Sequence, residues 1–242
     1  MVITRRVQKK KKKHYVLGAA AILFLIASIL IVANFETIQS YFANQLQQTE
    51  LSGAKSNKQS KKPSYDLNAV KPISPDTLAS AWRNRHDYRA VGQIAIDRVN
   101  ISLNIYRGVG NDELALGAGT FRKNQKMGHN NYPLAGHNMD DGKTYFSPLY
   151  TAKVTGNLKN GTPIFITDFK KVYYYKITGS EFISVNNLNL SYNQKKYERR
   201  PVVTLFTCDW TGQGRLYVIA RLTGSQSLKS ASKYVRSRFS VR

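Results

Sequence analysis

The spacing of apolar and polar positions changes three times along this chain, and each change predicts a different kind of element. Tyr15 to Ala33 is a run of 19 residues without a charge, dominated by Leu, Ile, Val, Ala and Phe. That length crosses a bilayer core as a helix, whereas a cleavable secretory signal has an apolar region of about 7 to 15 residues. Residues 15–34 therefore read as a transmembrane signal anchor, with cleavage after a small residue such as Ala33 as the alternative. From Glu36 to Leu51, scattered Ile38, Tyr41, Phe42 and Leu46 in a polar background predict a short helix leaving the membrane. Ser52 to Ser64 reads SGAKSNKQSKKPS, which is small, polar and basic with nothing to bury, hence a linker.

Ser74-Pro75 supplies a helix N-cap followed by a proline at the first helical position, and Asp76 to Arg85 continues as a helix with Leu78, Ala79 and Trp82 on one side. After residue 90 the period becomes two. Ile94 and Ile96 alternate, as do Ile101, Leu103 and Ile105, which predicts two strands or one long bent strand. Further strands are expected at Asn131–Ala135, Thr162–Thr167, Lys171–Val185, Pro201–Cys208 and Arg215–Thr223, with a weaker signal at Leu114–Thr120, and a helical turn at Tyr145–Tyr150. Many short strands with turn-rich connections indicate an all-β barrel or sandwich. The expected organisation is a basic cytoplasmic tail (1–14), the anchor (15–34), a juxtamembrane helix and linker (35–75) and an extracellular β domain (76–242).

Charge adds orientation to this picture. Thirty-seven Lys and Arg against 14 Asp and Glu give +23, and seven of the cations, Arg5, Arg6 and Lys9 to Lys13, precede the apolar run. The positive-inside rule keeps that end in the cytoplasm and exports everything after residue 34. The remaining excess is dispersed and no helix-turn-helix, zinc-finger or RNA-recognition pattern accompanies it, so nucleic acid is not the expected partner. A basic exterior equally suits a protein that works against anionic membrane or wall polymer.

The candidate chemistry lies around one residue. Cys208 is the single cysteine, which excludes an internal disulfide framework and any Cys-rich metal site. A lone cysteine is most often a small buried hydrophobe. This one ends the apolar run Val202-Val-Thr-Leu-Phe-Thr207, and Asp209-Trp-Thr-Gly-Gln-Gly214 then leads into Arg215-Leu-Tyr-Val-Ile-Ala220. Two such runs across a short Gly-containing loop predict an antiparallel hairpin that sets Arg215 beside Cys208, where a guanidinium favours thiolate and can stabilise an oxyanion. Arg221, six residues on and on the same strand face, is the rival arginine. A thiol of ordinary pKa needs a proton-transfer partner. His137, in Leu134-Ala-Gly-His137 at a strand end, is favoured over His129, in a polar Gly-His-Asn-Asn turn.

Thr204-Leu-Phe-Thr-Cys208 with Arg215, and Leu134-Ala-Gly-His137 upstream, resemble the signature of the sortases, surface transpeptidases of Gram-positive bacteria. Gly92-Gln-Ile-Ala-Ile96, Gly117-Ala-Gly-Thr120, Asn131-Tyr-Pro-Leu134 and Phe146-Ser-Pro-Leu149 extend the likeness over roughly residues 90 to 222. The N-terminal anchor, with neither an Asp-Pro-aromatic lid motif nor a C-terminal membrane segment, is similar to class A, the housekeeping group. The resemblance implies an eight-stranded β-barrel with short helices. It implies Cys208 as nucleophile on the Thr carbonyl of a Leu-Pro-x-Thr-Gly sorting signal, His137 as general acid and base, and Arg215 as holder of the substrate carbonyl or oxyanion. Thr207 and Ala135 would line the groove. The acceptor would be an amine of a peptidoglycan precursor such as lipid II. A hydrolytic peptidase or amidase on the same residues, and a non-enzymatic basic wall-binding domain, are the rival readings. Some class A sortases bind calcium, but Val185 to Arg200 holds one acid, Glu198, among Lys195, Lys196, Arg199 and Arg200. Calcium needs several oxygen ligands, so neither metal nor other cofactor is expected.

Overall fold

A computed structural model describes residues 2–139, 141–185, 187–209 and 211–239. The chain divides into two compact units, one ending at Gln39 and one starting at Ser40. The first contains helix α1 (Val2–Ala33), in which Tyr15–Ala33 is long and apolar enough to cross a membrane. Helix α2 (Phe35–Gly53) begins in the first unit and ends in the second.

The second unit is a closed barrel of eight strands: β1 (Ala90–Ile96), β2 (Ile101–Tyr106), β3 (Ala118–Thr120), β4 (Asn131–Ala135), β5 (Pro163–Thr167), β6 (Lys171–Ser184), β7 (Val202–Cys208) and β8 (Gly214–Ser227). They pair in the order β1-β2-β3-β4-β7-β8-β6-β5, and β5 returns to β1. The period-two pattern explains the closure: Ile94, Ile96, Leu103, Ile105, Leu134, Ile164, Ile166, Val203, Leu205, Leu216, Val218 and Ala220 all point inward and are buried in one core. A barrel needs every strand to show one apolar face to its interior, and closure leaves no open edge. The two Ile-rich runs are separate strands, joined by a short 3-10 turn (Asp97–Val99) that ends on left-handed Asn100, φ 54°.

Helices α3 (Pro75–Asn84), α4 (Asn111–Leu116), α5 (Ser147–Val154), α6 (Lys195–Glu198) and α7 (Lys233–Arg236) decorate the barrel. Ser74 caps α3 as expected, its hydroxyl accepting from the Thr77 amide at 3.2 Å. The buried face of α3, however, is Leu78 and Ala81; Trp82 is exposed under the Arg85 guanidinium, 4.1 Å from its ring centre. Leu114–Thr120, expected as a strand, divides between a helix and a strand. Leu114 to Leu116 end helix α4, whose first turn carries Asp112 and Glu113, and only Ala118–Thr120 is a strand. Acidic residues in a first helical turn suit the helix dipole, which decides the segment in favour of a helix. Tyr145 precedes its helix instead of opening it, because its backbone is left-handed, φ 54°.

Contacts before residue 74 are more extensive than composition suggests. From Ser40 onward α2 buries Ala43 and Leu46, and the Leu51 and Glu50 carbonyls accept from Gln93 Nε2 and Asn104 Nδ2, each at 2.7 Å. Beyond it, the Val109 amide donates to the Ser64 carbonyl at 2.7 Å, and the Ser60 amide to the Asp87 carbonyl at 2.9 Å. The SGAKSNKQSKKPS stretch, expected to have nothing to bury, thus attaches through backbone groups, through Ala54, which is buried in a core cluster, and through Asn57, whose Nδ2 donates to the Arg85 and Tyr88 carbonyls at 3.1 Å each.

Candidate active site

Three strand ends build the site, and their registers decide which residues meet. β7 and β8 are antiparallel, with Cys208 directly paired to Arg215. β4 and β7 are parallel, with Ala135 opposite Phe206, and the pairing extends one step as the Gly136 amide donates to the Phe206 carbonyl at 3.0 Å. His137, the next residue, therefore leaves the end of β4 alongside Cys208. Asn138 closes the arrangement by donating from Nδ2 to the Cys208 carbonyl at 3.0 Å.

The same registers separate the rivals. Arg221 pairs with Val202 at the far end of β7. Six residue steps along β8 separate it from Arg215, about 20 Å at the usual rise. His129 precedes β4, whose first residue Asn131 also pairs with Val202, so it belongs to that far end as well. Neither residue adjoins Cys208.

Local sequence enforces the geometry. A Cβ on Gly136 would stand 2.7 Å from the Phe146 ring, so only glycine lets the chain turn there. The Phe146 amide donates to the His137 carbonyl at 3.0 Å, and the buried Tyr145 ring meets the imidazole edge-on with centres 5.6 Å apart. Tyr145 is held in turn by its hydroxyl donating to the Ala115 carbonyl at 2.7 Å. On the other side, Asp209 organises the turn into β8: its amide donates to the Gly214 carbonyl at 3.1 Å and Thr211 Oγ1 donates to its carboxylate at 2.9 Å. Gly212 takes the left-handed conformation, φ 71°, that this turn requires. Arg215 Nη1 donates to the carbonyls of Gly212 at 2.9 Å and Gly214 at 2.8 Å, which sets the guanidinium on the turn beside the thiol.

Burial governs the electrostatics. His137 is 7 % exposed and its Nε2 has no hydrogen-bond partner among the described residues. Desolvation pushes the imidazole down from 6.5 to about 4, so it is neutral at physiological pH. Burial pushes the Cys208 thiol up; the Arg215 charge opposes that and the Asp209 charge adds to it. A protonated thiol beside a neutral imidazole is the arrangement these shifts favour. Such a pair can move one proton from sulfur to nitrogen as the sulfur attacks, without a standing charge in a buried site.

Ala135 and Thr207 occupy different positions. Ala135 is half-buried on the outer face and packs in a cluster with Phe206, Tyr217, Val109, Leu114 and Phe121. Thr207 alternates with the interior residues Val203 and Leu205, is 3 % exposed, and its Oγ1 has no hydrogen-bond partner among the described residues. Sequence reading did not single out Asn138, Tyr145, or Leu67 and Val70, which pack onto the cluster containing Ala135 and Phe206. Asn138 had a signal in its place directly after His137. The other three had none, since their role depends on contacts across the fold.

Comparison with known proteins agrees with this architecture. A family model described as a sortase domain matches residues 94–223. Sortase A of Streptococcus agalactiae serotype III (strain NEM316) is 33 % identical over 230 residues, covering 90 % of this chain and 89 % of the relative. Sortase A of Listeria monocytogenes is 30 % identical over 178 residues, 74 % of this chain and 72 % of the relative. The crystal structure of Listeria monocytogenes sortase A superposes with a TM-score of 0.54 at 30 % identity, covering 62 % of this chain and 96 % of that one. Sortase C-3 from Streptococcus pneumoniae, at 16 % identity and a TM-score of 0.53 over 85 % of this chain and 91 % of that one, shares the fold.

Proposed function

The chain belongs to the sortase family, and from that premise we propose that it is a class A, membrane-anchored cysteine transpeptidase acting on a Leu-Pro-x-Thr-Gly sorting signal. Sortases are transpeptidases that attach proteins to the cell wall; the particular signal, subgroup and residue roles are our reading. The observation that carries it is the register that puts Cys208 opposite Arg215 and brings His137 to the adjacent strand end.

In this reading Cys208 Sγ attacks the Thr carbonyl while its proton passes to the unpartnered Nε2 of His137. Arg215 holds the carbonyl oxygen as it becomes an oxyanion, a contribution of about 3 to 4 kcal/mol for one well-placed donor. The imidazolium then gives its proton to the departing Gly amine, leaving a thioester on Cys208. An acceptor amine, from lipid II or another peptidoglycan precursor, attacks that thioester. Its proton returns through His137 to sulfur, so thiol and imidazole are both regenerated neutral. Ala135, on the outer face opposite Phe206, borders the bound signal; Thr207, expected beside it in the groove, faces the barrel interior with its hydroxyl buried and supports the strand end that carries Cys208.

Residues 15–34 anchor the enzyme, with residues 1–14 cytoplasmic and the catalytic part from 76 onward extracellular, where both substrates reside. The apolar Tyr15–Ala33 segment behind seven cations supports this topology. The test is full-length enzyme in neutral detergent with a Leu-Pro-x-Thr-Gly peptide, with and without an oligoglycine or alanine amine, products read by mass spectrometry. A new Thr-to-amine bond, absent in Cys208→Ala, is expected. The same free acid with or without amine would replace the transpeptidase with a hydrolase, and no cleavage would favour a non-enzymatic wall-binding domain.

A further inference from the structure

The outer face of the β7–β8 ladder continues past the catalytic pair as Phe206 beside Tyr217, Thr204 beside Ile219 and Val202 beside Arg221. At its far end lies a depression lined by Lys195, Lys196, Arg199, Arg200 and Arg221, with Glu198 as the one carboxylate. All six charged side chains are exposed, and the ion pairs among the described residues, Arg85 with Glu50 and Arg238 with Asp97, involve none of them. Five cations share one concavity with a single carboxylate, and none of them forms an ion pair among the described residues.

The cluster is not a loose charged run. Its centre, Tyr197, is buried against the neighbourhood of Tyr217, two residues after Arg215 and four before Arg221 on β8. Upstream, the Gln194 amide donates to Asn130 Oδ1 at 3.1 Å, tying the turn to the start of β4. The neighbouring hydroxyl, Thr178, is spent on the Ile219 carbonyl at 3.3 Å. What remains available is a set of cationic donors and almost no acceptors. Lys and Arg grouped so closely repel one another unless an external anion neutralises them. Five convergent charges match a compact group of several negative charges better than a single carboxylate.

We propose that this pocket is a binding site for clustered phosphate, a diphosphate or a phosphodiester chain. Two sources share that chemistry. One is the diphosphate of the amine acceptor, whose amine could reach the thioester across the roughly 20 Å of strand between Val202 and Cys208. The other is a separate poly(glycerol phosphate) chain of the wall. The first source rests on the amine-acceptor reading above; the site itself does not.

The experiment titrates full-length protein in neutral detergent with inorganic diphosphate by calorimetry at 0.15 M ionic strength, which requires no turnover. The variant Lys195→Gln/Lys196→Gln/Arg199→Gln/Arg200→Gln is compared with a control losing the same charge elsewhere, Lys58→Gln/Lys61→Gln/Lys62→Gln/Lys159→Gln. Loss of at least about tenfold in affinity in the pocket variant, and under about threefold in the control, is expected from removing charge-assisted contacts. Equal losses in both, no saturable binding by the wild type, or tighter binding of oligoglutamate than of diphosphate would overturn the site. A circular-dichroism melt matching the wild type establishes that the pocket variant is folded. Should it unfold, the single exchange Arg221→Gln carries the same titration. The sources separate kinetically: a KM raised for a diphosphate-bearing acceptor but unchanged for triglycine assigns the acceptor. Unchanged KM values with lost poly(glycerol phosphate) binding assign the wall polymer.

Discussion

The two ends of the β4–β7–β8 ladder are made by the same three strands with the same alternation, yet they carry opposite electrostatics. At one end Cys208, His137 and Arg215 sit under Tyr145, Asn138 and the Asp209 turn, and burial drives the thiol and imidazole towards their neutral forms. At the other, Arg221 and the cations of the α6 turn stand in solvent. Strand sequence alone does not separate them, because an arginine on the outer face of β8 occurs at both. What covers each end decides the chemistry: desolvation suppresses charge where the fold closes over the strands and permits it where the fold stays open.

Exchanging residues between the ends should break the equivalence most sharply at the nucleophile. Cys208→Ala is expected to lower peptide turnover on the order of 10⁴-fold or more while leaving the thermal melt unchanged; residual turnover within tenfold of wild type would exclude Cys208. Next comes the arginine pair. Arg215→Ala should cost about 10² to 10³ in kcat/KM for the donor peptide, whereas Arg221→Ala, with a phosphate-free amine, should stay within about twofold. Reversed magnitudes would reassign the catalytic arginine to the far end.

A smaller effect lies in stability against pH. His137 titrates near 4 in the folded protein and near 6.5 in an ordinary environment, so between these values the unfolded chain takes up a proton that the folded one does not. Stability therefore falls as pH drops from about 6.5 towards about 4, and above that window His137 contributes no such loss. His137→Gln should lose less melting temperature than wild type between pH 7 and pH 5; parallel slopes would show that the imidazole is not desolvated. Smaller still is the thiol's own titration, read from the pH dependence of iodoacetamide alkylation. Arg215→Ala should move its midpoint up, Asp209→Asn down, and Arg221→Ala not at all. Calcium marks the low end of the scale: millimolar calcium should leave the cleavage rate unchanged, and a several-fold, chelator-reversible increase would reveal a calcium site.

The amino-acid sequence by itself determined the strands and the chemistry they carry. Period-two runs such as Ile101-Leu103-Ile105 and Val203-Leu205 specify a sheet with one apolar face, because side chains alternate whatever the partner strand is. The single cysteine at the end of such a run, with Ala-Gly-His and Arg motifs elsewhere, pointed to Cys208, His137 and Arg215 as candidates before any pairing was known. The motifs favoured His137 over His129 and Arg215 over Arg221; only the tertiary structure shows that the favoured residues lie at the Cys208 end of the strands and their rivals at the other, since strand register is a long-range property. It also turned Leu114–Leu116 into helix, laid Leu67 and Val70 beside the site, and set Tyr145 against the imidazole. Each of these depends on which distant segment covers a residue, and burial of that kind sets both packing and pKa. Local periodicity carries no record of it.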